Sequence, residues 1–193
     1  MLVLGIDPGT ASTGFGLACG EGSRLRAIEQ GMIATRAGVA PERRLAAIHS
    51  RVGELLDRHR PDVLAIEELY FGVNVQTAFA VGQARGVVLL AAGQRGIPAR
   101  SYTPQQVKSA VCGSGRAPKE QVGRMVARLL GLDAVPTPDH VADALAVAIC
   151  ELNAAPLARS VAVAGGRAGV APGASLRRRE VPDALAALAR GER

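Results

Sequence analysis

Three acidic residues stand where acids are expensive. Asp7 closes the apolar run from Leu2, Glu67 closes Leu64-Ala65-Ile66, and Asp143 interrupts the otherwise apolar stretch His140–Ile149. Each has a plain structural explanation when taken singly. Asp-Pro-Gly is a common turn, Glu67 can be the first solvated residue after a strand, and a carboxylate in the first turn of a helix is favoured by the macrodipole. Their combination points to chemistry. Strand-end residues of one α/β sheet converge on a common crevice where ligands bind. A helix start lying across that crevice would add Asp143 and, three residues earlier on the same face, His140. Crowded carboxylates repel one another and desolvate badly, and divalent cations remove that penalty. Mg²⁺ takes oxygen ligands and keeps several waters, which suits a few carboxylates plus a substrate phosphate. Two such ions about 4 Å apart can activate a water and stabilise a leaving oxygen in phosphodiester cleavage.

The elements that must position these groups are legible in the hydrophobic pattern. Leu2–Asp7 reads as a buried strand ending in a turn. Thr13–Cys19 and Arg24–Ala34 read as two more strands, with Gly20-Glu21-Gly22 as the hairpin turn between them. After Pro41 the period changes: Leu45, Ile48, Val52, Leu55 and Leu56 have helical spacing up to Pro61. Val63–Ile66 is a fourth strand. Residues from about Val75 to Arg95 read as a largely buried helix rich in Ala and Val, and Ile97–Tyr102 as a fifth strand. Thr103-Pro104 starts a helix to about Val111. Gly113–Pro118 is a loop, Lys119–Leu130 an amphipathic helix, and Asp139 an N-cap for a last helix to about Asn153. The order β-β-β-α-β-α-β-α-α-α implies an α/β fold, with a mixed five-stranded sheet and helices on both faces.

The bulk composition narrows the setting. The 193 residues suit one domain, about 1–155, with a tail from 156 to 193. The tail is rich in Ala, Gly, Pro and Arg and reads as a disordered basic segment, with a short helix at 181–190. The three cysteines, Cys19, Cys112 and Cys150, are far apart and odd in number, which argues against a disulfide framework or zinc site and fits a reducing cytoplasm. The amino terminus reaches Asp7 too soon for a secretory signal, and no apolar run approaches the roughly 20 residues of a membrane span. The net charge of +6 is unevenly spread: seven Arg against three acids give the tail +4. Within the body, residues 100–128 carry Arg100, Lys108, Arg116, Lys119, Arg124 and Arg128 against Glu120 alone, a footprint suited to a polyanion.

Four motifs, Gly5-Ile6-Asp7-Pro8-Gly9-Thr10, Ala65-Ile66-Glu67-Glu68, Gly82-Gln83-Ala84-Arg85-Gly86 and Asp143–Ile149, occur in an order and spacing that resembles the RuvC family of Holliday junction resolvases over residues 1–152. The resemblance implies an RNase H-like (retroviral integrase superfamily) fold and a homodimer gripping a four-way junction. It implies symmetric nicking of two strands of like polarity, leaving 5′-phosphate and 3′-hydroxyl ends. It carries the catalytic, metal-holding set onto Asp7, Glu67, His140 and Asp143, with two Mg²⁺ or Mn²⁺ ions per site, and makes the RuvA–RuvB branch-migration complex a partner. Lys108 and Lys119, the chain's only lysines, match family contacts to the DNA backbone. Such contacts position the substrate and make binding salt-sensitive. Arg116 and Arg124 extend the basic stripe, and Tyr70 corresponds to an aromatic near the junction point that could stack on an unpaired base. His140 stands where many members have Asp. Imidazole is a softer ligand than carboxylate, so a bias toward Mn²⁺ is expected. Asp139 beside it leaves two candidates for the fourth ligand.

Two other readings share features of this pattern. Actin-like and sugar-kinase ATPases open with a similar Gly-Ile-Asp-x-Gly-Thr loop on the same core fold, but they need two such lobes and this chain has length for one. A non-catalytic junction-binding module would keep the fold, yet has no use for the intact acidic set.

Overall fold

The computed structural model describes residues 1–21, 24–68 and 75–165. Among them the elements are β1 (Leu2–Asp7), β2 (Ser12–Glu21), β3 (Arg24–Ala34), α1 (Pro41–His59), β4 (Val63–Glu67), α2 (Val75–Gly93), β5 (Ala99–Tyr102), α3 (Pro104–Cys112), α4 (Lys119–Leu130) and α5 (Asp139–Gly165), in the order the sequence implied. They build a five-stranded sheet ordered β3-β2-β1-β4-β5. The pairs β1–β2 and β2–β3 are antiparallel; β1–β4 and β4–β5 are parallel. By internal contacts the chain divides at Ser160, and Val161–Arg193 lies mostly outside the described residues.

The two-residue period of the strands sorts the side chains into two cores. Leu4, Ile6, Phe15, Leu17, Leu64 and Ile66 turn to the face covered by α1 and α2. Val3, Ala18 and Ala65 turn to the opposite face, with α3, α4 and α5. Asp7 and Glu67 continue the second series, Val3-Gly5-Asp7 and Ala65-Glu67. Both acids therefore leave the sheet toward α5. The helix lies unusually close there because the sheet offers it glycines. A Cβ on Gly5 would collide with the carbonyl oxygen of Ala144 and lie 2.8 Å from the backbone nitrogen of Ala148. A Cβ on Gly14 would collide with the carbonyl oxygen of His140, and one on Gly16 would come within 2.6 Å of the Leu145 side chain.

Several elements differ from the sequence reading. Gly20 and Glu21 belong to β2, and Glu21 pairs with Arg24, so they are not the hairpin turn; the connection at 22–23 lies outside the described residues. Strand β5 starts at Ala99 rather than Ile97. Helix α2 is not largely buried. Ala84, Val88, Ala91 and Ala92 are inside, but Phe79 is 68% and Leu90 55% exposed. Its apolar residues are spread around the helix, which hid the face that packs. Asp139 is the first residue of α5 rather than a cap preceding it. The same helix continues to Gly165, beyond the expected end at Asn153 and through Pro156. Ala154, Ala155, Leu157 and Ala158 are strong helix formers and flank the unfavourable Pro156. The tail from residue 166 and the short helix expected at 181–190 fall outside the described residues.

Overpacking a filled interface typically costs about 1–3 kcal/mol. Gly5→Ala is therefore expected to lower the thermal midpoint by about 5 °C. Gly93→Ala, where nothing lies within 4 Å of the new methyl, should leave the midpoint unchanged or raise it. Scanning calorimetry of the two variants checks both signs.

Candidate active site

The parallel register aligns Ile6 with Ile66, so Asp7 and Glu67, one residue further along, emerge side by side at the strands' carboxyl ends. Neighbouring strands are about 4.8 Å apart, which sets the spacing of the two carboxyl groups' backbones. The segment after Asp7 is fastened from two directions. The buried Thr13 hydroxyl donates to the Gly9 carbonyl at 2.6 Å. Arg44 of α1 donates to Thr35 Oγ1 at 2.7 Å, and that hydroxyl donates to the Thr10 carbonyl at 2.5 Å.

The amino end of α5 lies over this edge. His140 Nδ1 is 2.6 Å from Asp7 Oδ2. Asp7, His140 and Asp143 each offer a ligand atom, and these atoms all lie within 4.8 Å of one another. Glu67 is not in this triad but shares a cleft of about 150 Å³ with Asp143, Lys108 and Lys119, floored by Val107 and Val122. Lys119 closes the cluster on its outer side, with Nζ 3.1 Å from Asp143 Oδ2 and 3.3 Å from Asp139 Oδ2.

The electrostatics are those of carboxylates held together against repulsion. Burial pushes the Glu67 carboxyl up to about 7, and the nearby Asp7 and Asp143 charges add to the rise. Burial also raises Asp7, helped by Asp143 and opposed by the His140 hydrogen bond and by Lys119. Burial works against the Lys119 ammonium, but its bonds to Asp143 and Asp139 outweigh that and hold its pKa above the ordinary lysine value. The donor set fits a hard divalent cation: three carboxylates and one imidazole, with burial raising the pKa of Asp7 and Glu67, a penalty that a bound cation would offset.

The predicted residues do not all gather here. Asp7, Glu67, His140, Asp143, Lys108 and Lys119 do. Arg124 lines a neighbouring cavity of about 380 Å³ with Lys119, Asp139, Asp143, Val135 and Pro136. Arg116 is exposed on the loop between α3 and α4 and lines neither cavity. Tyr70 lies outside the described residues. Between the two candidates for a fourth ligand, the geometry favours His140: Asp139 is 75% exposed and faces Lys119 instead. Sequence reasoning missed Gly14 and Gly16, whose alternation in Thr13-Gly14-Phe15-Gly16-Leu17 marks one face of β2 as bare. It also missed the contact that Lys119 makes with the acids, for which adjacent residues give no signal.

A mixed sheet of this order with helices on both faces is the RNase H-like fold, and here it carries acids at its strand ends. The family model for the crossover junction endodeoxyribonuclease RuvC matches residues 3–151. A RuvC from Moorella thermoacetica is 56% identical over 156 residues, covering 81% of this chain and 93% of the relative. A Thermus thermophilus RuvC structure in complex with a Holliday junction substrate superposes with a TM-score of 0.79 at 40% identity, over 82% of this chain and 96% of that one. A second structure of the Thermus protein gives 0.77 at the same identity. The chain belongs to the RuvC family.

The raised Glu67 carboxyl fixes a stability prediction for the metal-free protein. A group whose folded pKa exceeds its unfolded value leaves the fold intact below about 4.5 and weakens it as pH rises through about 7. The full effect is about 3 kcal/mol. Thermal melts in chelator should therefore show stability falling between pH 4.5 and 8, with the slope flattened in Glu67→Gln. A wild-type slope matched by the variant would rule out the assignment of this pH dependence to Glu67.

Proposed function

We propose that the chain carries out its family's reaction, endonucleolytic resolution of Holliday junctions in recombination and repair, with Asp7, Glu67, His140 and Asp143 holding divalent metal at the cut phosphate. The observation that carries this reading is the convergence of Asp7, at the end of β1, with His140 and Asp143 of α5, whose ligand atoms lie within 4.8 Å of one another, beside the cleft that Glu67 shares with Asp143. Bound Mg²⁺ or Mn²⁺, two ions per site, would neutralise these carboxylates, lower the pKa of an attacking water and stabilise the leaving oxygen. The products are then a 5′-phosphate and a 3′-hydroxyl.

The chain's own groups prepare the site. Asp7 orients the His140 ring through Nδ1, leaving Nε2 as the nitrogen available to a cation. Lys108 and Lys119, on either side of the Glu67 cleft, bring positive charge to phosphates flanking the cut, and Arg124 extends the same edge. Arg116 and Tyr70 complete the proposed DNA-contacting set, on the family resemblance. The nuclease domain is assigned to residues 1–155, with 156–193 as a basic appendage.

Symmetric nicking of two like-polarity strands requires two copies of this site. The outward face of α2 supports a homodimer: Phe79 and Leu90 are exposed, and Gly86 has open space where a side chain would be. An apolar stripe with small residues permits close approach of a second helix. The RuvA–RuvB complex is proposed as the partner that delivers the junction. No helix among the described residues is long and apolar enough to cross a membrane, and the proposed location is the cytoplasm.

Asp7→Asn should abolish cleavage of a synthetic four-way junction, by 10³-fold or more on the order seen when a catalytic group is lost, while gel-shift binding persists. Loss of binding together with cleavage would contradict the assigned role. Because His140 is a softer ligand than carboxylate, cleavage at matched ionic strength should be faster in Mn²⁺ than in Mg²⁺, and His140→Asp should narrow that difference. Equal or faster turnover of the wild type in Mg²⁺ would refute the bias.

A further inference from the structure

Asp139 stands beside the proposed metal cluster but outside it. Its carboxylate is 75% exposed, it is absent from the triad of Asp7, His140 and Asp143, and its partner is the Lys119 ammonium at 3.3 Å. The same ammonium is 3.1 Å from Asp143, which is a member of the triad. One flexible cation thus bridges an acid inside the cluster and an acid outside it. Without metal, that ammonium supplies compensating charge at the site: it opposes the rise of both Asp7 and Glu67. A divalent cation on Asp143 would repel an ammonium this close and compete for the same oxygen.

Resting on the metal-site reading above, we propose that Asp139 is a positioning residue acting through Lys119. As metal engages Asp143, Asp139 retains the lysine at the rim of the site, between the Glu67 cleft and the cavity lined by Arg124. Two features of the chain support it. The lysine stem reaches both acids from the first position of α4, so the exchange needs only side-chain rotation. Asp139 and Asp143 are one helical turn apart on α5, so both stay within reach as the contact shifts. Asp139 lowers the cost of displacing Lys119 from Asp143 and keeps the cation where a substrate phosphate arrives.

The test is a double-mutant cycle on Mn²⁺ affinity of the junction-free full chain, read from the electron paramagnetic resonance of free Mn²⁺. Removing the competing ammonium in Lys119→Met should tighten binding about threefold, the scale of an exposed charge pair. Asp139→Asn should loosen it by about the same factor, because Lys119 then stays on Asp143. In the Lys119→Met background Asp139→Asn should have no further effect; with Lys119 present, Asp139→Glu should keep wild-type affinity. Equal loosening by Asp139→Asn in both backgrounds would show Asp139 acting on the metal directly and overturn the proposal. Unchanged affinity in Lys119→Met would overturn it as well. Mn²⁺ affinity untouched by Asp7→Asn or Asp143→Asn would instead bring down the metal-site reading itself, and this proposal with it.

Discussion

Everything at the site depends on how closely α5 can approach the sheet. Helix backbone meets strand backbone at Gly5 and Gly14, where no side chain could fit between the two. Because interiors are packed to crystal-like density and deform little, that approach fixes α5 in height and along its axis. Its first turn therefore stands over the end of β1. The 2.6 Å contact between His140 and Asp7 follows from this placement, as does the nearness of Asp143. A sheet with ordinary side chains on this face would hold the helix several ångströms further out. The same acids would then face water separately.

The gathered acids are in tension with the fold that gathers them. Glu67 and Asp7 are held where burial resists their ionisation, and Lys119 is the one ammonium spanning the cluster's outer edge among the described residues. Stability is being exchanged for readiness: the same desolvation that weakens the metal-free protein makes a divalent cation more welcome. The surrounding structure absorbs the cost through two full cores, one on each face of the sheet. It also tethers the segment after Asp7 through Thr13 and through Arg44 and Thr35. Another buried carboxylate, Glu151, is handled differently. It accepts a hydrogen bond from Tyr102, the register partner of Glu67, and ties β5 to α5 two turns from Asp143.

Much of this was readable in one dimension. Strand alternation and helical spacing placed all ten elements in order, and Leu2–Asp7, Arg24–Ala34 and Lys119–Leu130 have the bounds their patterns implied. Where pattern was absent, reading failed. Helix α2 has apolar residues on every side, so its exposed stripe through Phe79 and Leu90 left no periodic trace. The extension of α5 past Asn153, through Pro156, had no periodic signal in the sequence. The glycines of β2 were visible as residues, but not as the floor on which a distant helix rests.

The sequence by itself determined the family and the fold class and named the candidate acids of the site. Those follow from local pattern and from motifs whose order and spacing are properties of the chain. Tertiary structure alone decided which groups meet. It set His140 rather than Asp139 against Asp7, placed Lys119 between two acids and left Arg116 away from both cavities. Each of these depends on packing and register between segments as many as 133 residues apart, a separation across which linear pattern carries no information about distance.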